Sequence, residues 1–112
     1  MQTITMYQGD LLPNLEVELA DRSNIPLNLT GAASIKLFMG LDAGDPTQNK
    51  IDGALLTVTD AAAGKATYEW QAGDTDTPGE YSAEIVVYFG QANKPQTAGQ
   101  FTVRIIDSLH QA

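Results

Sequence analysis

Cysteine is absent from the 112 residues, which removes a disulfide framework and every thiolate metal site. That absence is compatible with assembly in a reducing cytoplasm. Histidine occurs once, as His110, close to the last residue. With no thiol, and with the one imidazole in the tail near the last residue, a nucleophile paired with a base has nothing to be built from. A triad enzyme is therefore not expected. Basic residues are also scarce: six Lys and Arg against fourteen Asp and Glu leave a net charge of -8 at pH 7. Such a surface repels phosphate backbones and anionic headgroups, which disfavours nucleic acid and membranes as partners. No apolar run approaches the roughly 20 residues of a membrane-spanning helix. The stretch Met1 to Tyr7 has neither the basic segment nor the long apolar run of a signal peptide, so none is expected there. No cofactor is expected from this inventory.

What is present is apolar residue in quantity and in pattern. Hydrophobic residues make up 43% of the chain, too many for a disordered acidic polypeptide. The length fits one domain over 1–112, with about two thirds of the unfolded surface buried on folding. Asp107 to Ala112 reads as a frayed tail.

The chain is organised around Gly73 to Phe89, a corner followed by a strand. Side chains on a strand alternate between faces, so Tyr81, Ala83, Ile85, Val87 and Phe89 are expected on the core side. On the other side Ser82 and Glu84 give way to Val86 and Tyr88, which predicts a central strand with a covered outer face. Within the corner, Asp76, Gly79 and Tyr81 fit the tyrosine corner of immunoglobulin-like sandwiches, where a Tyr near the start of a strand bonds back to upstream backbone. The plainer reading is a loop that happens to precede a strand containing Tyr.

Further strands are predicted over Met1–Tyr7, Leu15–Leu19, Ala33–Met39, Leu55–Thr59, Lys65–Trp70 and Gln100–Ile106, with an extended segment at Leu27–Gly31. In the third of these Ala33, Ile35, Leu37 and Met39 should share a face. Asp60 to Gly64 reads as a hairpin loop with Gly at a left-handed bulge position. Gly40–Gly53 and Gly90–Gly99 show no strand pattern and are expected to be connections, the former long enough to be functional. Seven or eight short strands, no helix, and Gly, Pro, Asn and Asp clusters between them predict an all-β, immunoglobulin-like antiparallel β-sandwich. Tyr68 and Trp70 are expected in its core.

Three places could carry function. Asp74, Asp76 and Glu80 read as turn carboxylates or as calcium ligands, to which Asp10, Asp42 or Asp45 could add oxygens, although no twelve-residue calcium loop is present. Tyr7, Phe38, Tyr88 and Phe89 are the aromatics left for a carbohydrate, for packing or for contact with a neighbouring subunit. Thr3, Ile4, Thr5, Met6 and Tyr7 form a strand with no charge and no Pro. Such a strand is either paired within the domain or docks on another chain.

Tyr7-Gln8-Gly9-Asp10, then Leu27 to Ile35, then Gly64 to Tyr81 resemble, in that order, the immunoglobulin-like domain at the N-terminus of phage baseplate upper proteins. The block from Gly64 to Tyr81 is the most specific part. The resemblance implies a non-enzymatic β-sandwich that attaches to a virion assembled in the host cytoplasm. Its partners would be other virion proteins or a second copy of itself, in a tail, baseplate, neck or capsid. The chain departs from that pattern after Tyr88, where Lys94-Pro95 stands in place of an aromatic-Pro pair, and residues up to Ala112 contain no helical or coiled extension. The rival expectation is a carbohydrate- or cell-surface-binding module on the same fold.

Overall fold

A computed structural model describes residues 2–21, 23–41, 49–90 and 94–109. Eight strands follow in chain order: β1 (Gln2–Tyr7), β2 (Leu15–Glu18), β3 (Ala32–Gly40), β4 (Asn49–Leu55), β5 (Thr57–Asp60), β6 (Lys65–Tyr68), β7 (Gly79–Phe89) and β8 (Lys94–Ile106). Five of them form one sheet in the order β1-β8-β7-β3-β4, and three form a second in the order β2-β6-β5. All pairings are antiparallel except β1 with β8, which is parallel. The result is an all-β sandwich with no helix among the described residues.

The core follows from the two-residue period. Ile35, Leu37 and Met39 of β3, Tyr81, Ala83, Ile85 and Val87 of β7, and Phe101, Val103 and Ile105 of β8 all turn inward and are buried. They meet Leu15 of β2, Ala66 and Tyr68 of β6, and Trp70 just beyond β6, which are buried from the other sheet. Val86 is also buried, but on the outer face of β7 and outside that core, where Lys36 of β3 pairs beside it. Tyr88 on the same face is only half-buried, and no described element packs over this side of the sheet, so of the outer face expected to be covered only Val86 is buried.

Several expectations are corrected. Asn49 to Leu55 is a strand and not part of a long connection; residues 42–48 of the expected loop lie outside the described residues. Its pattern is hidden because two register shifts against β3 interrupt the alternation, as bulges do. Leu55 closes β4, Leu56 donates its N–H to the Ile35 carbonyl of β3 at 2.9 Å, and Thr57 opens β5 in the other sheet. The polar segment from Lys94 to Gly99 is the first half of β8, held against β7 as one long hairpin despite Pro95. Proline is tolerated there because β1 pairs only with Phe101 to Ile106, leaving the earlier part of β8 on the sheet edge. Leu27–Gly31 forms no strand, and only an isolated bridge joins Ala20 to Pro26. Ala33 is exposed, because the pairing of β3 with β7 skips a residue between Ala32 and Ser34.

Candidate functional site

The chain leaves β6 at Tyr68 and must cross to the other sheet to begin β7 at Gly79. The crossing, residues 69–78, is tied down by short polar side chains suited to turns. Asp74 is its hub. Its Oδ2 accepts the Tyr68 hydroxyl at 2.5 Å and the Gln71 N–H at 2.8 Å, while its own N–H donates to the Gln71 carbonyl at 3.0 Å. Tyr68 thus ends in a charge-assisted bond, and burial followed by that carboxylate pushes its phenol well above the ordinary value.

Tyr81 closes the other end of the crossing. Its ring is buried, and its hydroxyl donates to the Thr77 carbonyl at 2.8 Å, the geometry of a tyrosine corner. Burial raises its phenol pKa, with Lys50 pulling the other way and Asp76 adding to the rise. Gly79 packs beside that ring: a Cβ there would stand 3.5 Å from both Tyr81 and Leu41. Trp70 stands edge-on to Tyr68, ring centroids 5.4 Å apart and planes at 80°, so the two aromatics form one packed unit under the crossing.

The carboxylates proposed as calcium ligands have separate partners. Asp74 holds Tyr68, Asp76 accepts from Lys50 at 2.5 Å and from Thr77 Oγ1 at 2.9 Å, and Glu80 lies 4.0 Å from Arg104 at the surface. The Lys50 ammonium, then the Thr77 hydroxyl, hold the Asp76 carboxyl below its usual range. Asp42 and Asp45, the further oxygens considered, lie outside the described residues, as does His110. Among the described residues no group of three or more His, Asp and Glu side chains is placed to hold a metal ion.

Sequence reasoning missed four members of this corner. Thr75 is the one buried polar side chain among the described residues, and its hydroxyl donates to the Asp10 carbonyl at 2.8 Å. Gly9 returns an N–H to the Thr75 carbonyl at 2.9 Å, and the Gln8 side-chain amide donates to the Asp76 carbonyl at 2.8 Å. Lys50 reaches Asp76 from β4. All four contacts span long sequence separations, which no local pattern marks. The first three stitch the end of β1 to the crossing, so that the Tyr7-Gln8-Gly9-Asp10 stretch meets the Gly64–Tyr81 block in space, and the fourth ties in β4.

A groove of about 560 Å³ runs over the outer face of the five-stranded sheet, lined in part by Phe38, Asp52, Glu84, Tyr88 and Gln100. The Lys36 ammonium lies 5.2 Å from the Tyr88 ring centroid, within cation–π range. Two of the four aromatics left over by the sequence therefore share one surface. Comparison with protein-family models and with curated proteins finds no match to this chain.

Proposed function

We propose that this chain is a non-enzymatic, immunoglobulin-like structural module of a phage virion that works by protein–protein contact, as a subunit or adaptor of a tail, baseplate, neck or capsid. The observation that carries the reading is the corner itself. The block with the most specific resemblance, Gly64 to Tyr81, folds as the exit of one hairpin and the tyrosine-locked entry to β7, with Tyr81 bonded to Thr77. Strand order supports the immunoglobulin-like assignment. The sheet β1-β8-β7-β3-β4 matches a GFC sheet extended by a C′-type strand and by a first strand beside G, and β2-β6-β5 matches B-E-D. In that scheme Tyr81 stands on the F strand, where the corner belongs. The reading as non-enzymatic rests on the sequence inventory, which offers no thiol and a single histidine.

Labelled protein followed by electron microscopy, together with mass spectrometry of purified particles, tests this reading. The chain should occupy a fixed site in the particle at a defined copy number. Absence from purified particles would overturn it. The outer-face groove with Phe38, Tyr88 and nearby carboxylate and amide side chains supports a second reading, a carbohydrate- or cell-surface-binding module. Binding on a glycan array that Tyr88→Ala abolishes would favour it.

A further inference from the structure

Sheet edges expose N–H and C=O groups that pair with foreign strands, and proteins blunt them with charge, proline or bulges. Here β2 carries Glu16 and Glu18, β4 carries Lys50 and Asp52 with two register shifts, and β5 carries Asp60 with a shift. The half of β8 that β1 leaves open on one side carries Lys94 and Pro95. Only β1 lacks every one of these devices among the described strands: Thr3 to Tyr7 has no charge and no proline, and its ladder with β8 runs without a shift.

The direction of its backbone groups follows from one bond. The Gln8 N–H donates to the Ile106 carbonyl of β8 at 2.8 Å, and amide directions alternate along a strand. Ile4 and Met6 therefore aim at β8, while Thr3, Thr5 and Tyr7 aim their N–H groups outward, where no described strand pairs. Beside this edge the sandwich is open. A groove of about 560 Å³ lies between β1 and β2, lined by Ile4, Met6, Leu12, Leu15, Glu16 and Trp70. Leu12 on its rim is 74% exposed and Tyr7 at the end of β1 is 54% exposed.

We propose that this edge and groove accept an extended segment of another protein, which adds as a sixth strand beside β1 and sets alternate apolar side chains over Leu12, Leu15 and Trp70. The partner strand is neutral or basic. It approaches a chain of net charge -8 and passes Glu16 on the groove wall, which acidic residues would oppose. A second copy fits less well, since it brings the same excess of negative charge. The inference rests on the adaptor reading only for naming the partner a virion protein.

The probe is a nine-residue synthetic peptide of alternating valine and threonine with lysine at each end. Its control is the same composition with the valines in one block. Amide exchange should be fast at Thr3, Thr5 and Tyr7 and slow at Ile4 and Met6 in the free protein. The alternating peptide should slow the first three by about tenfold or more. Thr5→Pro removes an outward N–H without touching the bonds to β8, and Leu12→Asp places a charge on an exposed rim. Each should weaken peptide binding by about tenfold. Should Thr5→Pro fail to fold, Leu12→Asp and Thr5→Lys carry the same test. Unchanged exchange at Thr3, Thr5 and Tyr7, equal binding of the blocked peptide, or protection that grows with protein concentration alone would overturn the inference. A Leu12→Asp protein that loses the peptide yet enters particles normally would support strand capture while refuting a virion role for this edge.

Discussion

Trp70 and Tyr81 do different work. Trp70 is 5% exposed and packed edge-on against Tyr68, so Trp70→Ala removes a large aromatic from a site that closes only in part. It should cost about 3 to 5 kcal/mol in denaturant melts. A loss under about 1 kcal/mol would mean that the indole contributes little to the core. Tyr81→Phe keeps the ring and deletes one oxygen, leaving the Thr77 carbonyl without that donor. The expected loss is about 1 kcal/mol, rising toward 2 if no water replaces the hydroxyl, and unchanged stability would show that the corner bond is dispensable. Both aromatics were legible as core residues from alternation alone. The Asp74 carboxylate that receives the Tyr68 hydroxyl was not, because a turn Asp six residues away gives no sign in sequence of which side chain it will meet.

Among the elements, the β5–β6 hairpin is the most constrained at a single point. Gly64 has φ +72°, and a Cβ there would come within 2.5 Å of the Leu19 carbonyl and 2.8 Å of the Leu27 carbonyl. Those carbonyls cannot swing away freely, since the Leu19 oxygen accepts the Leu27 N–H at 2.9 Å and the Leu19 N–H donates to the Gly64 carbonyl at 2.7 Å. Gly64→Ala therefore combines a left-handed conformation with a backbone clash and should destabilise by about 2 kcal/mol or more. Equilibrium unfolding of that variant against Gly31→Ala, where nothing lies within 4 Å of the added carbon, separates the clash from the general cost of losing a glycine. The left-handed position was readable from the loop pattern, but the carbonyls above it belong to segments far away in sequence.

At the scale of the whole molecule, two responses follow from charge. Tyr68 and Tyr81 have folded pKa values raised above the ordinary 10.0. Their contribution is fully present below pH 10 and declines as pH rises, because the unfolded chain then releases protons that the folded chain keeps. Urea midpoints should fall above about pH 10, and less steeply when both residues are Phe. A slope unchanged in that double variant would assign the alkaline loss to other groups. Calcium should leave stability alone, since Asp74, Asp76 and Glu80 face Tyr68, Lys50 and Arg104 of β8 respectively. Melting midpoints in chelator and in millimolar calcium should coincide; a clear rise with calcium would mean that the native state binds it.

By itself the sequence determined that the fold is all-β and most of the side chains that enter the core, because alternation in Leu15–Leu19, Ile35–Met39 and Tyr81–Val87 reflects a two-residue period that holds for any strand with one buried face. It also marked the corner, since Gly, Pro and Asp restrict backbone geometry locally. Only the tertiary structure decided what a period of two leaves unstated: which strand lies beside which. Asn49–Leu55 and Lys94–Gly99 are strands because β3 and β7 offer them a ladder, and neither advertises this, one being bulged and the other polar on a sheet edge. The joining of Gln8, Gly9 and Asp10 to Thr75 and Asp76 and the unpaired side of β1 likewise depend on sheet order. Hydrogen bonds between strands join backbone atoms common to every residue, so the side chains record the face and the fold as a whole selects the neighbour.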